Sequence, residues 1–141
     1  MSGDGPDPTG PGSFSHWATD RVRFSDQDAV GHINNVAMAA YVETGRVAFG
    51  HDLRVDDDPG ASFILARLAI DYRAQGHYPG EVRIGTRLQR IGRTSFTVVH
   101  GVFKDERCLA TAEGVLVFVR DGAPAAIDGA FRQRLESLLG D

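Results

Sequence analysis

Phe24-Ser25-Asp26-Gln27-Asp28-Ala29-Val30-Gly31-His32-Ile33-Asn34-Asn35 runs straight into Val36-Ala37-Met38-Ala39-Ala40-Tyr41-Val42-Glu43-Thr44-Gly45-Arg46-Val47-Ala48-Phe49. The second stretch reads as a helix that stops at Gly50, with Glu43, Thr44 and Arg46 as its few polar residues. A helix that is apolar on nearly every side has to be enclosed by other elements. Asn34 or Asn35 is suited to cap its start, and Glu43 and Arg46, three apart, pair on one side. The first turn of such a helix leaves backbone N–H groups unpaired at the positive end of its dipole. The stretch before it sets two carboxylates, an imidazole and the carboxamides of Asn34 and Asn35 at that end. A carboxylate there, with His32 and two Asn close by, has the groups needed to polarise a carbonyl and activate water.

Working outward from this helix, residues 16–24 are compatible with one strand that ends at the polar motif. Four strand candidates follow it. Residues 62–72 put Ile64, Ala66, Leu68, Ile70 and Tyr72 on one face, and residues 81–91 alternate Val82, Ile84, Thr86 and Leu88 with Arg83, Arg87 and Gln89. Residues 94–103 and 109–119 are rich in Val, Phe and Thr, with turns at Gly92-Arg93 and Lys104-Asp105-Glu106. Asp56-Asp57-Asp58-Pro59-Gly60 is a loop, and residues 127–139 carry Phe131, Leu135, Leu138 and Leu139 at helical spacing. The fold class is therefore α+β: a mostly antiparallel sheet that buries one apolar helix by curling around it, with a terminal helix.

The chain has 141 residues, which is one domain able to bury a real core. A 42% apolar and 24% charged composition is that of an ordinary soluble globule. The net charge of -4 gives no basic footprint for nucleic acid. No apolar run approaches the ~20 residues of a membrane span. Residues 1–13 hold Gly, Pro, Asp, Ser and Thr without an apolar run, so they read as a disordered tail ahead of a single domain at 14–141. Lacking a charged start and a greasy centre, they do not form a secretory signal, and a cytoplasmic location follows by default. Cys108 is the only cysteine, which excludes an internal disulfide, and its alternating apolar context reads as a packed thiol.

Several motif readings fail on spacing. Asp26-x-Asp28-x-x-Gly31 begins like a calcium loop, but its twelfth position is Ala37 rather than Glu. Asp26, Asp28 and His32 lack an evident fourth protein ligand for a metal, so no metal is assigned. There is no phosphate loop and no Gly-x-Ser-x-Gly elbow. Asp28 read alone would cap a turn, since Asp-x-x-Gly is ordinary loop chemistry. With His32, Asn34, Asn35 and the enclosed helix in sequence, it reads as a site residue instead. Asp26 reads as structural, bonding local backbone N–H groups. His16, His51, His77 and His100 read as surface or satisfied polar residues.

The motifs Phe24-Ser25-Asp26-Gln27-Asp28, His32-Ile33-Asn34-Asn35 and Glu43-Thr44-Gly45-Arg46 together resemble those of the hot-dog-fold acyl-CoA thioesterases. That group includes 4-hydroxybenzoyl-CoA thioesterase and long-chain acyl-CoA relatives. Ala69-Ile70-Asp71-Tyr72, Gly92-Arg93-Thr94-Ser95-Phe96 and Ala112-Glu113-Gly114-Val115-Leu116-Val117-Phe118-Val119 resemble the later strands, so the likeness spans about residues 17–120. It implies a five-stranded antiparallel sheet wrapped around the central helix, edge-to-edge dimers that pair again into tetramers, and active sites at the dimer interface. It implies no metal or organic cofactor.

The same resemblance assigns the catalytic carboxylate to Asp28 and the amide that binds the thioester oxygen to the neighbourhood of Asn35. His32 and Asn34 would orient water or the carboxylate. Met38 stands where many relatives have Tyr and bears on the shape of the acyl pocket, and residues 73–80 lack the Pro that usually follows the Tyr-containing strand. Arg93, Thr94 and Ser95 form either a plain hairpin turn or a contact with the phosphates of coenzyme A. The function implied is hydrolysis of an acyl- or aryl-CoA to free acid and CoA. Two alternatives stand beside it: an acyl-CoA-binding module without turnover, and an enoyl-CoA hydratase-like lyase using Asp28 and His32.

Overall fold

The apolar run after Asn34 folds into helix α1 (Asn35–Asp52), with Asn34 as its N-cap. The computed structural model of the chain describes residues 5–54 and 58–139. Asp56 and Asp57 of the expected loop lie outside the described residues. Gly50 does not end the helix. It is buried in α1, where a Cβ would meet the Phe63 ring at 3.1 Å, so this glycine allows close packing rather than a stop.

The five expected strands form β1 (His16–Arg21), β2 (Ala61–Tyr72), β3 (Glu81–Ile91), β4 (Ser95–Lys104) and β5 (Arg107–Arg120). A two-residue β6 (Ala123–Pro124) folds back on Val119 and Arg120, and α2 (Gly129–Glu136) closes the chain. All pairings are antiparallel, in the order β1-β3-β4-β5-β2, so β1 and β2 are the edges. The β4–β5 turn falls where expected, with Asp105 and Glu106 both left-handed (φ 52° and 66°), as a tight hairpin turn requires. Curled around α1, this sheet is the hot-dog architecture the motifs imply.

Alternation decides which strand residues meet the helix. Val82, Ile84, Val102, Ala110 and Ala112 pack with Ala37, Met38, Tyr41 and Val42 of α1. Phe96, Val98, Leu116 and Phe118 pack with Phe49 and Leu53 and with Phe131 and Leu135 of α2. Gly45 lets the helix lie directly on β3, since a Cβ there would run into the Ile84 side chain. The helix is not enclosed on every side by its own chain. It packs chiefly on β1, β3 and β4, and leaves Val36 (80% exposed) and Val47 (62%) facing out.

Residues 5–13 are not the disordered tail that their composition reads as. They cross the outer face of the sheet, where Arg87 Nη2 donates to the Pro6 carbonyl at 2.9 Å. Just beyond them Phe14 seats on the cross-strand pair Gly85 and Gly101, which have no side chains to hold it off. With Val99, Phe103 and Trp17 it forms a small core on that face. Ring contacts and a glycine floor, rather than propensity, order this segment.

The packing can be tested at two buried positions. Gly45→Ala gains about 1 kcal/mol of helix propensity but forces Ile84 aside, at about 1–3 kcal/mol for overpacking. A lower urea midpoint is expected, and a raised midpoint contradicts the close approach. His100 is fully buried, with Nδ1 2.9 Å from Thr86 Oγ1. Burial, aided by the charge of Arg46, lowers its pKa from 6.5 to about 3. The unfolded chain therefore takes up a proton that the folded chain refuses as pH falls from about 6.5 toward 3, and stability is lost across that window. Melting at pH 7 and pH 4.5 should show a smaller acid loss for His100→Asn than for the wild type; equal losses contradict this.

Candidate active site

The start of α1 is the electropositive feature around which the polar motif closes. Four N–H groups at a helix start lack helical partners. The Asn34 N–H donates to the Asp26 carbonyl at 2.8 Å, and the Ala37 N–H donates to Asn34 Oδ1 at 2.7 Å. Among the described residues, the N–H groups of Asn35 and Val36 are left without an acceptor. These two amides sit on an exposed stretch at the positive pole of an 18-residue helix.

The loop that carries Asp28 is a small closed ladder. Its base is the Asn34–Asp26 bond, its middle a bridge between Gln27 and Ile33, and its tip the Asp28 N–H donating to the His32 carbonyl at 2.7 Å. Asp28 Oδ1 accepts from the N–H groups of Val30 (2.9 Å) and His32 (3.0 Å). The His32 N–H is the main cause of a carboxyl pKa below the ordinary value, with the Val30 N–H adding to it. Asp28 is exposed and anionic, one oxygen fixed by the turn and the other without a protein donor among the described residues. The turn-capping reading of this residue therefore holds, and capping uses only one of its two oxygens.

Asp28, His32, Asn34 and Asn35 are thus brought together. Met38 lies one turn further along α1, buried in the main core at 3% exposure rather than lining an open surface. Arg93, Thr94 and Ser95 are not brought to the motif within one chain. Their turn is held by the Phe118 and Ile127 N–H groups, whereas the site end of the sheet is marked by Leu109, whose carbonyl accepts from Arg73 and Ala74. Leu109 and Phe118 are roughly 30 Å apart along β5 at strand rise.

Two neighbours of the site escaped sequence reading. Tyr41 is fully buried and its hydroxyl donates to Asp26 Oδ2 at 2.6 Å. Burial first, then the Asp26 hydrogen bond, pushes its pKa far above the usual phenol range. A Tyr on an enclosed helix needs a partner for its hydroxyl, which was the available signal. His77 lies in the loop 73–80 and its ring packs edge-on against His32, centroids 5.1 Å apart. Gly76 docks that loop by accepting from the Ile33 N–H at 2.9 Å, a long-range contact without a local sequence mark. Among the described residues, no group of three His, Cys, Asp or Glu side chains is placed to hold a metal ion.

A family model described as the thioesterase-like superfamily matches residues 22–135, the whole of the motif, α1 and four long strands. The chain belongs to that superfamily. Its fold matches the crystal structure of a thioesterase from Thermus thermophilus complexed with coenzyme A and Zn, at TM-score 0.81 and 32% identity, covering 91% of this chain and 96% of that one. A predicted thioesterase from Bacillus stearothermophilus matches at TM-score 0.78 and 27% identity, covering 88% and 96%. The uncharacterized protein YsmA of Bacillus subtilis (strain 168) is 31% identical over 87 residues, 61% of this chain; the match spans 59% of that relative's length. No helix among the described residues is long and apolar enough to cross a membrane.

The anchored carboxylate gives a direct prediction. A carboxyl with a depressed folded pKa stabilises the fold above its unfolded value of about 3.9, and the contribution is lost as pH falls through the lowered folded value. Side-chain 13C titration should place the Asp28 midpoint below that of an ordinary Asp. A midpoint at or above about 4 contradicts the amide anchoring.

Proposed function

We propose that this member of the thioesterase-like superfamily hydrolyses an acyl- or aryl-CoA thioester to the free acid and CoA, using Asp28 and the amides that open α1. The observation that carries the reading is an anionic carboxylate with one oxygen fixed and one free, in the loop that leads into two open helix-start N–H groups. The thioester oxygen would accept from the Asn35 and Val36 amides, which are preoriented for the negative charge that builds there. Losing one such donor typically raises a barrier by about 3 kcal/mol. The free Asp28 oxygen would attack the carbonyl carbon, expelling CoA thiolate to leave a mixed anhydride that water then cleaves. Proton abstraction from water by the same oxygen is the other route this geometry serves, and it uses the same helix-start amides.

His32 and Asn34 would orient the water. Asn34 has its carboxamide oxygen committed to the helix cap, so only its NH2 group is available for this. Met38 would shape the acyl site from beneath, as part of the packed wall under the helix start. The CoA class is supported by the coenzyme A complex of the thioesterase at 32% identity.

A homodimer, itself able to pair into a tetramer, fits the unpartnered features of the chain. The twelve-residue β2 is an open edge, and Val36, Val47 and Tyr72 are exposed beside it. Free edges of that length invite a second strand. A second subunit is also what would bring an Arg93-Thr94-Ser95 turn within reach of CoA phosphates, given its distance from Asp28 in the same chain.

A thiol-release panel over aryl-, short- and long-chain acyl-CoAs tests the proposal, with light scattering for the mass in solution. Turnover on part of the panel is expected, with Asp28→Asn and Asp28→Ala each losing about 10³-fold or more in kcat while staying folded. Near-wild-type turnover of both variants overturns the assignment. Binding without thiol release points to a binding module, and loss of enoyl absorbance with crotonyl-CoA points to a lyase.

A further inference from the structure

We propose that Tyr41 and Asp26 are positioning residues for this site, acting together as a clamp that sets the Asp28 loop against the start of α1. The inference deepens the thioester-hydrolysis reading and rests on it for its kinetic part. Tyr41 lies six residues after Asn35, about 9 Å along the helix, and its ring is fixed in the main core among Val22, Ile33 and Val82. A ring packed that tightly holds its hydroxyl at a fixed point. That point is 2.6 Å from Asp26 Oδ2.

Asp26 is the residue through which both halves of the site pass. Its Oδ2 also accepts from the Arg23 N–H at 2.9 Å, and its carbonyl accepts from Asn34, the cap of α1, at 2.8 Å. Asp26 and Asn34 are thus the two feet of the ladder whose tip is Asp28. The Arg23 guanidinium stands 3.9 Å from Asp26 Oδ2 but belongs to the same local segment, so it cannot set the loop against the helix. Among the described residues, Tyr41 is the side chain that ties the Asp26 carboxylate to α1. A parallel tie further up β1, Thr44 Oγ1 to Asp20 Oδ2 at 2.7 Å, holds the strand but not the loop.

The consequence is geometric. Reaction needs the attacking oxygen about 3–3.5 Å from a carbonyl carbon whose oxygen is held by the helix-start amides, and a displacement of about 1 Å can cost ~10²-fold. The clamp fixes the distance between those two partners without touching substrate. Removing it should therefore lower kcat far more than it raises KM.

The test compares wild type, Tyr41→Phe, Asp26→Asn and Asp26→Ala as intact chains. Turnover of the best CoA thioester is read well below each melting point, and amide hydrogen exchange is read without substrate at Asn34 and Asp28, whose N–H groups are bonded at the foot and tip of the ladder. Tyr41→Phe should lose about 10- to 100-fold in kcat, with KM within about threefold and exchange at the Asn34 and Asp28 amides raised about tenfold or more. Asp26→Asn keeps an oxygen that accepts from both donors and should stay within about threefold of wild type, while Asp26→Ala should match or exceed the loss in Tyr41→Phe. An active wild type with Tyr41→Phe within twofold in kcat, or with Asp26→Asn as impaired as Asp26→Ala, overturns the clamp. Should the wild type hydrolyse no thioester, that counts against the functional reading alone, and unchanged exchange in Tyr41→Phe still overturns the clamp.

Discussion

The N-terminus of α1 is the constraint on which the rest of this molecule depends. A helix start concentrates unpaired donors and partial positive charge, and it must be satisfied, exposed or used. Here one of the four donors goes to Asp26, one to the Asn34 side chain, and two remain open where the loop that carries the anionic Asp28 enters the helix. That division requires α1 to be seated deeply enough that its start cannot drift, and Gly45 on β3 provides the seat. The sheet curls around the helix because Val82, Ile84, Val102 and their neighbours have no other apolar surface to cover.

Electrostatics at the site and packing in the core work on the same elements in opposite ways. His100 and Thr86 lie under α1 where water is excluded, and burial keeps the imidazole neutral. Asp28 lies in the open, where backbone amides of its own turn, the His32 N–H foremost, outweigh desolvation and keep the carboxyl charged. A charged group held by fixed dipoles at an exposed helix start can react. A neutral one sealed in the core cannot. The division explains why, of five histidines, the two that meet near the motif are those on loops, His32 and His77.

Most of the scaffold was legible in the sequence because its signals are local. Alternation in residues 81–91 and 94–103 marks β3 and β4 almost to the residue, and the Asn34-Asn35 pair marks the start of α1. Asp28, His32, Asn34 and Asn35 are close in sequence, so the motif could announce them as one group. What sequence reading missed depends on contacts between distant segments. Gly50 reads as a helix stop until Phe63 is seen against it, and residues 5–13 read as a tail until Gly85 and Gly101 open a floor for Phe14 beside them. His77 reaches His32 only because Gly76 bonds Ile33, and the Arg93-Thr94-Ser95 turn lies at the far end of the sheet from Asp28. Pattern gives faces and ends of elements; it does not give which loops meet.

The open helix-start amides can be interrogated directly. Titration of the 15N-labelled protein with a non-hydrolysable ketone analogue of an acyl-CoA should move the Asn35 and Val36 amide signals most, saturating together with that of Asp28. Saturable binding that leaves those two amides unmoved would contradict a substrate carbonyl held at the start of α1.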